Sequence, residues 1–230
     1  MLSANTIMKI SIKFAIFLSL LIPVAGFSQL NSPYSRYGIG NLTPQGNISN
    51  RAMGGISAAI ADPSSQNTVN PASYGNLVFT TLDFAIEYNG MNLKSKVPVE
   101  NFKSNYAILS YLNVGVPLLS GNERASKSKT SWALSFGLKP VSKINYSVSS
   151  SQRSSIDSTT SIYQGEGGIN KAYIGSALKL KNFSFGFNSG YLFGEKNYST
   201  QLIFNNDSVH YNKAYYQTNT HFGGIFLDLG

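Results

Sequence analysis

Residues able to do acid–base, nucleophilic or metal chemistry are few and scattered in this sequence. The chain has no cysteine and only two histidines, His210 and His221, neither of which lies in a cluster of carboxylates. Zinc and related metals need three or four such ligands together, so we expect no metal site. The sequence has no Gly-x-Ser-x-Gly elbow, and Gly165–Gly168 lacks the lysine and helix of a phosphate-binding loop. We therefore predict no catalytic residue, no cofactor and no enzyme activity; a hydrolase built on one of the histidines is the alternative.

The N-terminus has the residue order of a secretory signal peptide. Lys9 and Lys13 precede an apolar run, Phe14–Ile22, which is too short to cross a bilayer, since a membrane helix needs about 20 apolar residues. Gly26 and Ser28 are the small residues expected just before a cleavage site. We predict that residues 1–28 are a signal peptide and that the mature protein is exported.

The composition is unusual for a protein surrounded by water. Charged residues make up 12% of the chain and aromatic residues 13%, whereas soluble domains are about 25% charged. The formal net charge is +8, but the lysines are scattered rather than clustered, so we expect no nucleic-acid partner. The composition favours a protein that contacts membrane lipid.

Large apolar and small or polar residues alternate along two segments, Ser131–Lys139 and Phe183–Phe193. Side chains of a β-strand alternate between its two faces, so each segment has one apolar and one polar face. A soluble sandwich gives the same alternation, but its outward positions usually carry Lys, Glu, Thr and Arg rather than Gly, Ser, Ala and Asn. We predict an all-β protein, a transmembrane antiparallel β-barrel. Its lipid-facing residues would include Trp132, Phe136, Phe185 and Phe187, and its lumen-facing residues Ser135, Gly186 and Asn188.

The pattern predicts about eight strands in all. Long polar stretches, Ser120–Lys129 and Ser154–Gly168, read as outward loops, and the short connections Lys139–Val141 and Lys181–Asn182 as periplasmic turns. The predicted strands are Leu77–Tyr88, Asn105–Val116, Ser131–Lys139, Ile144–Gln152, Ile169–Leu180, Phe183–Phe193, Asn197–Phe204 and Ala214–Leu229.

Residues 29–76 differ from the strands because they are rich in Gly, Pro, Ser and Asn. A disordered periplasmic tail is one interpretation. The apolar stretch Gly54–Ala61 and the turn signals Asp62-Pro63 and Asn70-Pro71 favour instead a compact plug. We therefore predict three parts: a signal peptide at 1–28, a plug or hatch at 29–76, and barrel strands at 77–230.

Three short motifs in the plug resemble the hatch of FadL-type transporters of hydrophobic compounds: Arg51–Gly55, Ala61–Pro63 and Asn70–Ser73. The resemblance implies an N-terminal plug followed by a fourteen-stranded barrel. It also implies that Asn70, Pro71 and Ala72 form the hatch and take part in gating. We expect this motif to lie inside or at the mouth of the barrel.

The length of the chain predicts too few strands to enclose the plug, so we expect the complete barrel to have more strands than this sequence supplies. After residue 76 only 154 residues remain (230 minus 76), enough for about eight strands. The interior of an eight-stranded barrel is filled by its own side chains and leaves no room for a plug. The final residues, Phe226–Gly230, also lack the terminal aromatic typical of a last barrel strand. We therefore expect a partial barrel, the N-terminal part of a larger one.

Two functions from different classes follow for an outer-membrane protein. The first, implied by the FadL resemblance, is passive uptake of a hydrophobic small-molecule ligand through the barrel. The alternative is a non-transporting barrel subunit of an outer-membrane secretion or assembly complex. Outer-membrane lipids are expected partners in both cases. An apolar lumen would favour uptake, whereas a polar, filled lumen would favour the role in a protein complex.

Overall fold

The computed structural model describes residues 32–96, 99–119, 130–153, 158–205 and 213–230. The predicted signal peptide and the loop at 120–129 lie outside these residues. The N-terminal part holds a 3₁₀ helix at Pro33–Arg36, a two-residue strand β1 at Asn41–Leu42, a short helix α1 at Ile48–Ala52 and a second 3₁₀ helix at Pro71–Asn76. Six long strands follow: β2 Thr81–Lys96, β3 Val99–Leu119, β4 Thr130–Arg153, β5 Ser158–Leu180, β6 Phe183–Phe204 and β7 Ala214–Leu229.

The strands form one antiparallel sheet whose order follows the chain from β2 to β7. The all-β, antiparallel prediction is therefore confirmed. The count is seven strands rather than about eight, and within the described residues β2 does not pair with β7, so the sheet is open. Closure into a barrel stays a prediction.

Strand β4 runs through the position where the sequence indicated a turn. Pro140 pairs with Asn170, and the register shifts between Pro140 and Ser142, leaving Val141 as a bulge. Proline cannot donate to a ladder hydrogen bond, but a bulge tolerates it because pairing is already interrupted there. The predicted turn at Lys139–Val141 is therefore wrong, and two predicted strands are one.

Two further predicted breaks are also absent from the described strands. Strand β6 continues through 194–196, which joins the predicted segments 183–193 and 197–204. Residues 158–168, predicted as loop, belong to β5. Both faces of this stretch are polar, so it lacks the alternation that reveals a strand. The turn at Lys181–Asn182 is confirmed, and Lys181 adopts a φ of 56° there, as such tight hairpins require.

The structure places the two predicted sets of side chains on opposite faces of the sheet; that one face contacts lipid and the other lines a lumen stays a prediction. Phe136 and Phe185 are 46% and 64% exposed, whereas Ser135 and Asn188 on the opposite face are 0% and 1% exposed. Because of the bulge at Val141, the buried positions of β4 are odd-numbered before it, as at Ala133, and even-numbered after it, as at Ile144. We call the buried side the inner face and the exposed side the outer face.

Residues 32–80, here called the N-terminal segment, pack against the inner face, except that β1 joins the sheet as its seventh strand by pairing with β4 at Ser142 and Lys143. The second 3₁₀ helix contacts β4, β5 and β6. A small apolar cluster of Tyr74, Leu77, Ala133 and Ala177 joins it to the sheet. Among the residues in view, no helix is both long enough and apolar enough to cross a membrane.

Candidate functional site

The Asn70-Pro71-Ala72 motif forms the start of the second 3₁₀ helix. The Asn70 side chain accepts a hydrogen bond from the Ala72 amide at 3.2 Å and donates one to the Ala58 carbonyl at 2.6 Å. Pro71 stands at the first helical position, where its fixed φ suits the turn and its missing N–H costs nothing. The motif therefore acts as a helix cap that also ties two turns of the N-terminal segment together.

The same motif touches the inner face where β6 and β7 pair. A Cβ atom built on Gly186 would lie 2.5 Å from the carbonyl carbon of Pro71 and 2.6 Å from the amide nitrogen of Ala72. Glycine is needed at this position because only a residue without a side chain allows two backbones to approach so closely. The structure thus brings Asn70, Pro71 and Ala72 together against the sheet, and their role in gating stays a prediction.

A chain of buried polar side chains joins the N-terminal segment to the middle of the sheet. Gln66 is fully buried; its amide donates to the Thr81 hydroxyl at 3.0 Å, and its carbonyl oxygen accepts from Ser135 at 2.5 Å. Farther along the inner face, the Tyr173 hydroxyl donates to Asn113 at 2.9 Å. Buried polar groups are tolerated when they are hydrogen-bonded, so these contacts specify one position of the segment on the sheet.

Charged side chains reinforce this interface. Lys139 is 4% exposed, and its ammonium group donates to the Thr68 hydroxyl at 2.9 Å and the Gln45 carbonyl at 3.2 Å. Arg51 of α1 pairs with Glu87 of β2 at 3.0 Å. Of these residues the sequence singled out only Arg51, as part of the Arg51–Gly55 motif. It predicted none of the contacts, because each partner lies 36 to 94 positions away in the chain.

Tyr74 lies at the centre of the apolar cluster. It is 0% exposed, and burial raises the pKa of its hydroxyl to about 12. The hydroxyl lies near Asn188, Ser135 and Tyr173, yet within the described chain it makes no hydrogen bond of good geometry with any of them. The neutral phenol is therefore the form that this interior accommodates.

Large apolar side chains cover one half of the outer face, here called the outer apolar band. All of its members are more than a third exposed, although the strands that carry them are well paired. They are Leu82, Phe84, Ile86, Leu109, Leu112, Trp132, Phe136, Leu138, Ile174, Leu178, Phe183, Phe185, Phe187, Tyr191, Phe193, Ile225, Leu227 and Leu229. A continuous exposed apolar surface of this extent marks contact with a membrane or a protein.

The described residues bring no catalytic constellation together. The nearest approach is His221 on β7, whose Nδ1 lies 3.9 Å from a carboxylate oxygen of Glu195 on β6. No group of three or more His, Cys, Asp or Glu side chains able to hold a metal occurs in the part of the chain that the structure describes. His210 lies outside those residues.

A family model, BamG, matches residues 7–230. No curated protein and no solved structure matches the chain.

This match overturns the predicted FadL-type resemblance, because it assigns nearly the whole chain to a different family. The structure shows why the motifs misled. Asn70-Pro71 caps a 3₁₀ helix, and Gly54 and Gly55 adopt φ values of 78° and 86° where α1 ends. Such caps and turns recur wherever a compact segment of this composition folds, so they carry no information about transport. The chain belongs to the BamG family, which is associated with the BAM complex of the outer membrane.

Proposed function

We propose that this protein is a non-transporting subunit of the outer-membrane assembly complex with which its family is associated. The observation that supports the proposal most directly is that the inner face is already occupied by polar side chains. The N-terminal segment fills it through hydrogen-bonded polar side chains, among them Gln66, Ser135 and Lys139. A conduit for hydrophobic molecules needs an apolar path at this place, and the described inner face offers a polar, filled one.

The apolar cavities lie on the other side of the sheet. One of about 550 Å³ is lined by Leu112, Phe136 and Leu138 of the outer apolar band together with the neighbouring Val114. Grooves between lipid-facing side chains are ordinary features of a membrane surface. They support contact with acyl chains rather than passage of a ligand through the protein.

In this proposal the outer apolar band contacts outer-membrane lipid and the sheet forms part of a barrel wall. Open sheet edges cannot lie in lipid, because each unpaired backbone group there costs several kcal/mol. The edges of β2 and β7 are therefore closed in the membrane by further strands, and the N-terminal segment lies within the closed wall as a fixed plug.

The proposal is tested by isolating the full-length protein, with an affinity tag, from the outer membrane of its native host. We expect the core barrel subunit of the assembly complex to copurify in stoichiometric amount and to stay bound through size-exclusion chromatography. Depletion of the protein should lower the abundance of other outer-membrane barrels without slowing uptake of a fluorescent long-chain fatty acid. Isolation of the protein alone, together with slower uptake on depletion, would contradict the assembly role.

A further inference from the structure

The outer face changes character halfway along the strands. Beyond the outer apolar band its side chains are mostly polar, with Ile162 and Ile203 as exceptions, and we call this region the polar half. It comprises residues 145–153 of β4, 158–166 of β5, 195–204 of β6 and 214–221 of β7. Nothing in the assembly role proposed above requires this region to bind a small molecule.

A groove of about 450 Å³ crosses the polar half next to the apolar band. The residues that line it come from four neighbouring strands and comprise four amides, two serines, a glutamate, a glycine and three tyrosines. Those used in the argument are Asn145, Gln164, Glu166, Asn197, Tyr215 and Gln217.

The strand register aligns these groups into rows. Gln164 pairs through Ser199 with Gln217, and Glu166 pairs with Asn197. Paired residues of adjacent strands point to the same face at a spacing of about 5 Å, so three strands present polar groups across roughly 10 Å. That span corresponds to two or three linked sugar rings.

Hydrogen bonds within the groove fix its amides before any ligand arrives. The Tyr215 hydroxyl donates to the Gln217 carbonyl oxygen at 3.0 Å, and the Gln217 amide donates to Asn219 at 3.0 Å. The Asn197 amide donates to Glu195 at 3.2 Å, while its carbonyl oxygen is buried and has no partner among the described residues. Side chains that are already held by such hydrogen bonds lose little further conformational freedom when a ligand binds them, which lowers the entropic cost of binding.

The chemistry of the lining selects among ligands. Amides donate and accept, as sugar hydroxyls do; a carboxylate accepts from two neighbouring hydroxyls; and a tyrosine ring offers an apolar face for stacking. Glu166 repels phosphate, and none of the described lining residues is basic. We infer that this groove is a binding site for a neutral saccharide, either free or as the headgroup of a glycolipid in the adjacent membrane.

The test uses the full-length protein in micelles of lauryldimethylamine oxide, since maltoside detergents would themselves occupy the groove. Maltotriose, mannotriose and the trimer of N-acetylglucosamine are titrated by calorimetry and saturation-transfer NMR. At least one should bind with a Kd of about 1 mM or tighter. The glycolipid source is tested by adding dodecyl maltoside, with dodecyl phosphocholine as the control for the alkyl chain. Tighter binding of dodecyl maltoside than of the free sugar identifies a lipid headgroup.

Matched variants separate the groove from general effects on the sheet. Tyr215→Ala and Gln217→Ala should each weaken binding about tenfold, because each removes a hydrogen-bonding or stacking group and its ordered neighbour. Tyr216→Ala, on the opposite face of β7, and Gln201→Ala, outside the groove, should leave the Kd within about twofold. The inference is overturned if no trisaccharide binds and dodecyl maltoside binds no better than dodecyl phosphocholine. It is also overturned if the two groove variants release a protein partner while saccharide binding stays absent, because the groove would then be a protein-docking surface.

Discussion

Replacing Gly186 with alanine should loosen the N-terminal segment from the sheet. The added Cβ atom would meet the backbone of Pro71 and Ala72 at 2.5–2.6 Å, well inside van der Waals contact. Neither neighbour is the end of a flexible side chain, so the 3₁₀ helix at Pro71–Asn76 must move outward as a unit. Overpacking of this kind costs about 1–3 kcal/mol. Because β6 is held by β5 and β7 on its two sides, the cost falls mainly on the docking of the segment.

Limited proteolysis measures this docking directly. Trypsin cleavage after Arg51 requires the segment to open, since that side chain is paired with Glu87 in the docked state. When opening is fast, the cleavage rate follows the population of the open form. A loss of 1–3 kcal/mol should therefore raise the rate about 5- to 150-fold.

Gly224→Ala is the matched control for Gly186→Ala. Gly224 lies on the neighbouring strand β7, and a Cβ atom there would have nothing within 4 Å. It should leave the cleavage rate close to that of the unmodified protein. Equal rates in both variants would refute the close approach of Pro71–Ala72 to β6, and with it the fixed plug on which the proposed function rests.

Three further predictions concern the cap, the outer face and the buried phenol. Asn70→Ala should cost about 1 kcal/mol through loss of the helix cap, seen as faster amide exchange in residues 72–77, whereas Asn70→Asp keeps the acceptor and should retain most of the protection. Phe136→Arg should cost about 2–4 kcal/mol in membrane insertion if the outer apolar band lies in lipid, whereas Ser149→Arg, on the same face of β4 in the polar half, should insert normally; equal yields in lipid vesicles would count against lipid contact. The folded-state pKa of Tyr74, raised from 10.0 to about 12, means that its contribution to stability is complete below pH 10 and is lost as the pH rises towards 12. The free energy of unfolding, measured with denaturant, should therefore fall by roughly 3 kcal/mol more in the natural chain than in Tyr74→Phe over this pH range. If the free energy of unfolding depends on pH in the same way in both proteins, the prediction is wrong.

The sequence predicted strands well wherever one face is apolar and the other is not. The alternation around Phe136 and Phe185 identified both the strands and the faces, because their exposed sides carry large apolar residues. The strand prediction failed at Pro140, because a bulge there shifts the alternation by one residue, and at 158–168, because both faces of that stretch are polar. Local pattern carries no signal for a strand that is neither alternating nor apolar, and only pairing with β4 and β6 defines it.

The polar contacts of the inner face could not be predicted from the sequence for a different reason. Gln66 and Ser135 are 69 positions apart, and Lys139 and Gln45 are 94 apart. Nothing in the type or spacing of these residues distinguishes them from the many other polar residues of the chain. The Asn70-Pro71 motif could be found in the sequence, but its function was predicted wrongly. It caps a helix, whereas its resemblance to a transporter hatch implied a role in transport.

The contacts of the N-terminal segment with the inner face determine whether it could move as a gate. Moving the N-terminal segment aside would break the hydrogen bonds of Gln66, Ser135 and the Lys139 ammonium. Exchanging each neutral hydrogen bond for water costs about 0.5–1.5 kcal/mol, and each bond to a charged group about 1.5–3 kcal/mol. A gate that opens in each transport cycle would have to overcome several such costs at once, together with burial of the cluster around Tyr74. A fixed plug bears none of them, and it stiffens the sheet so that the outer face presents an unchanging surface. This difference in cost favours a structural subunit over a channel.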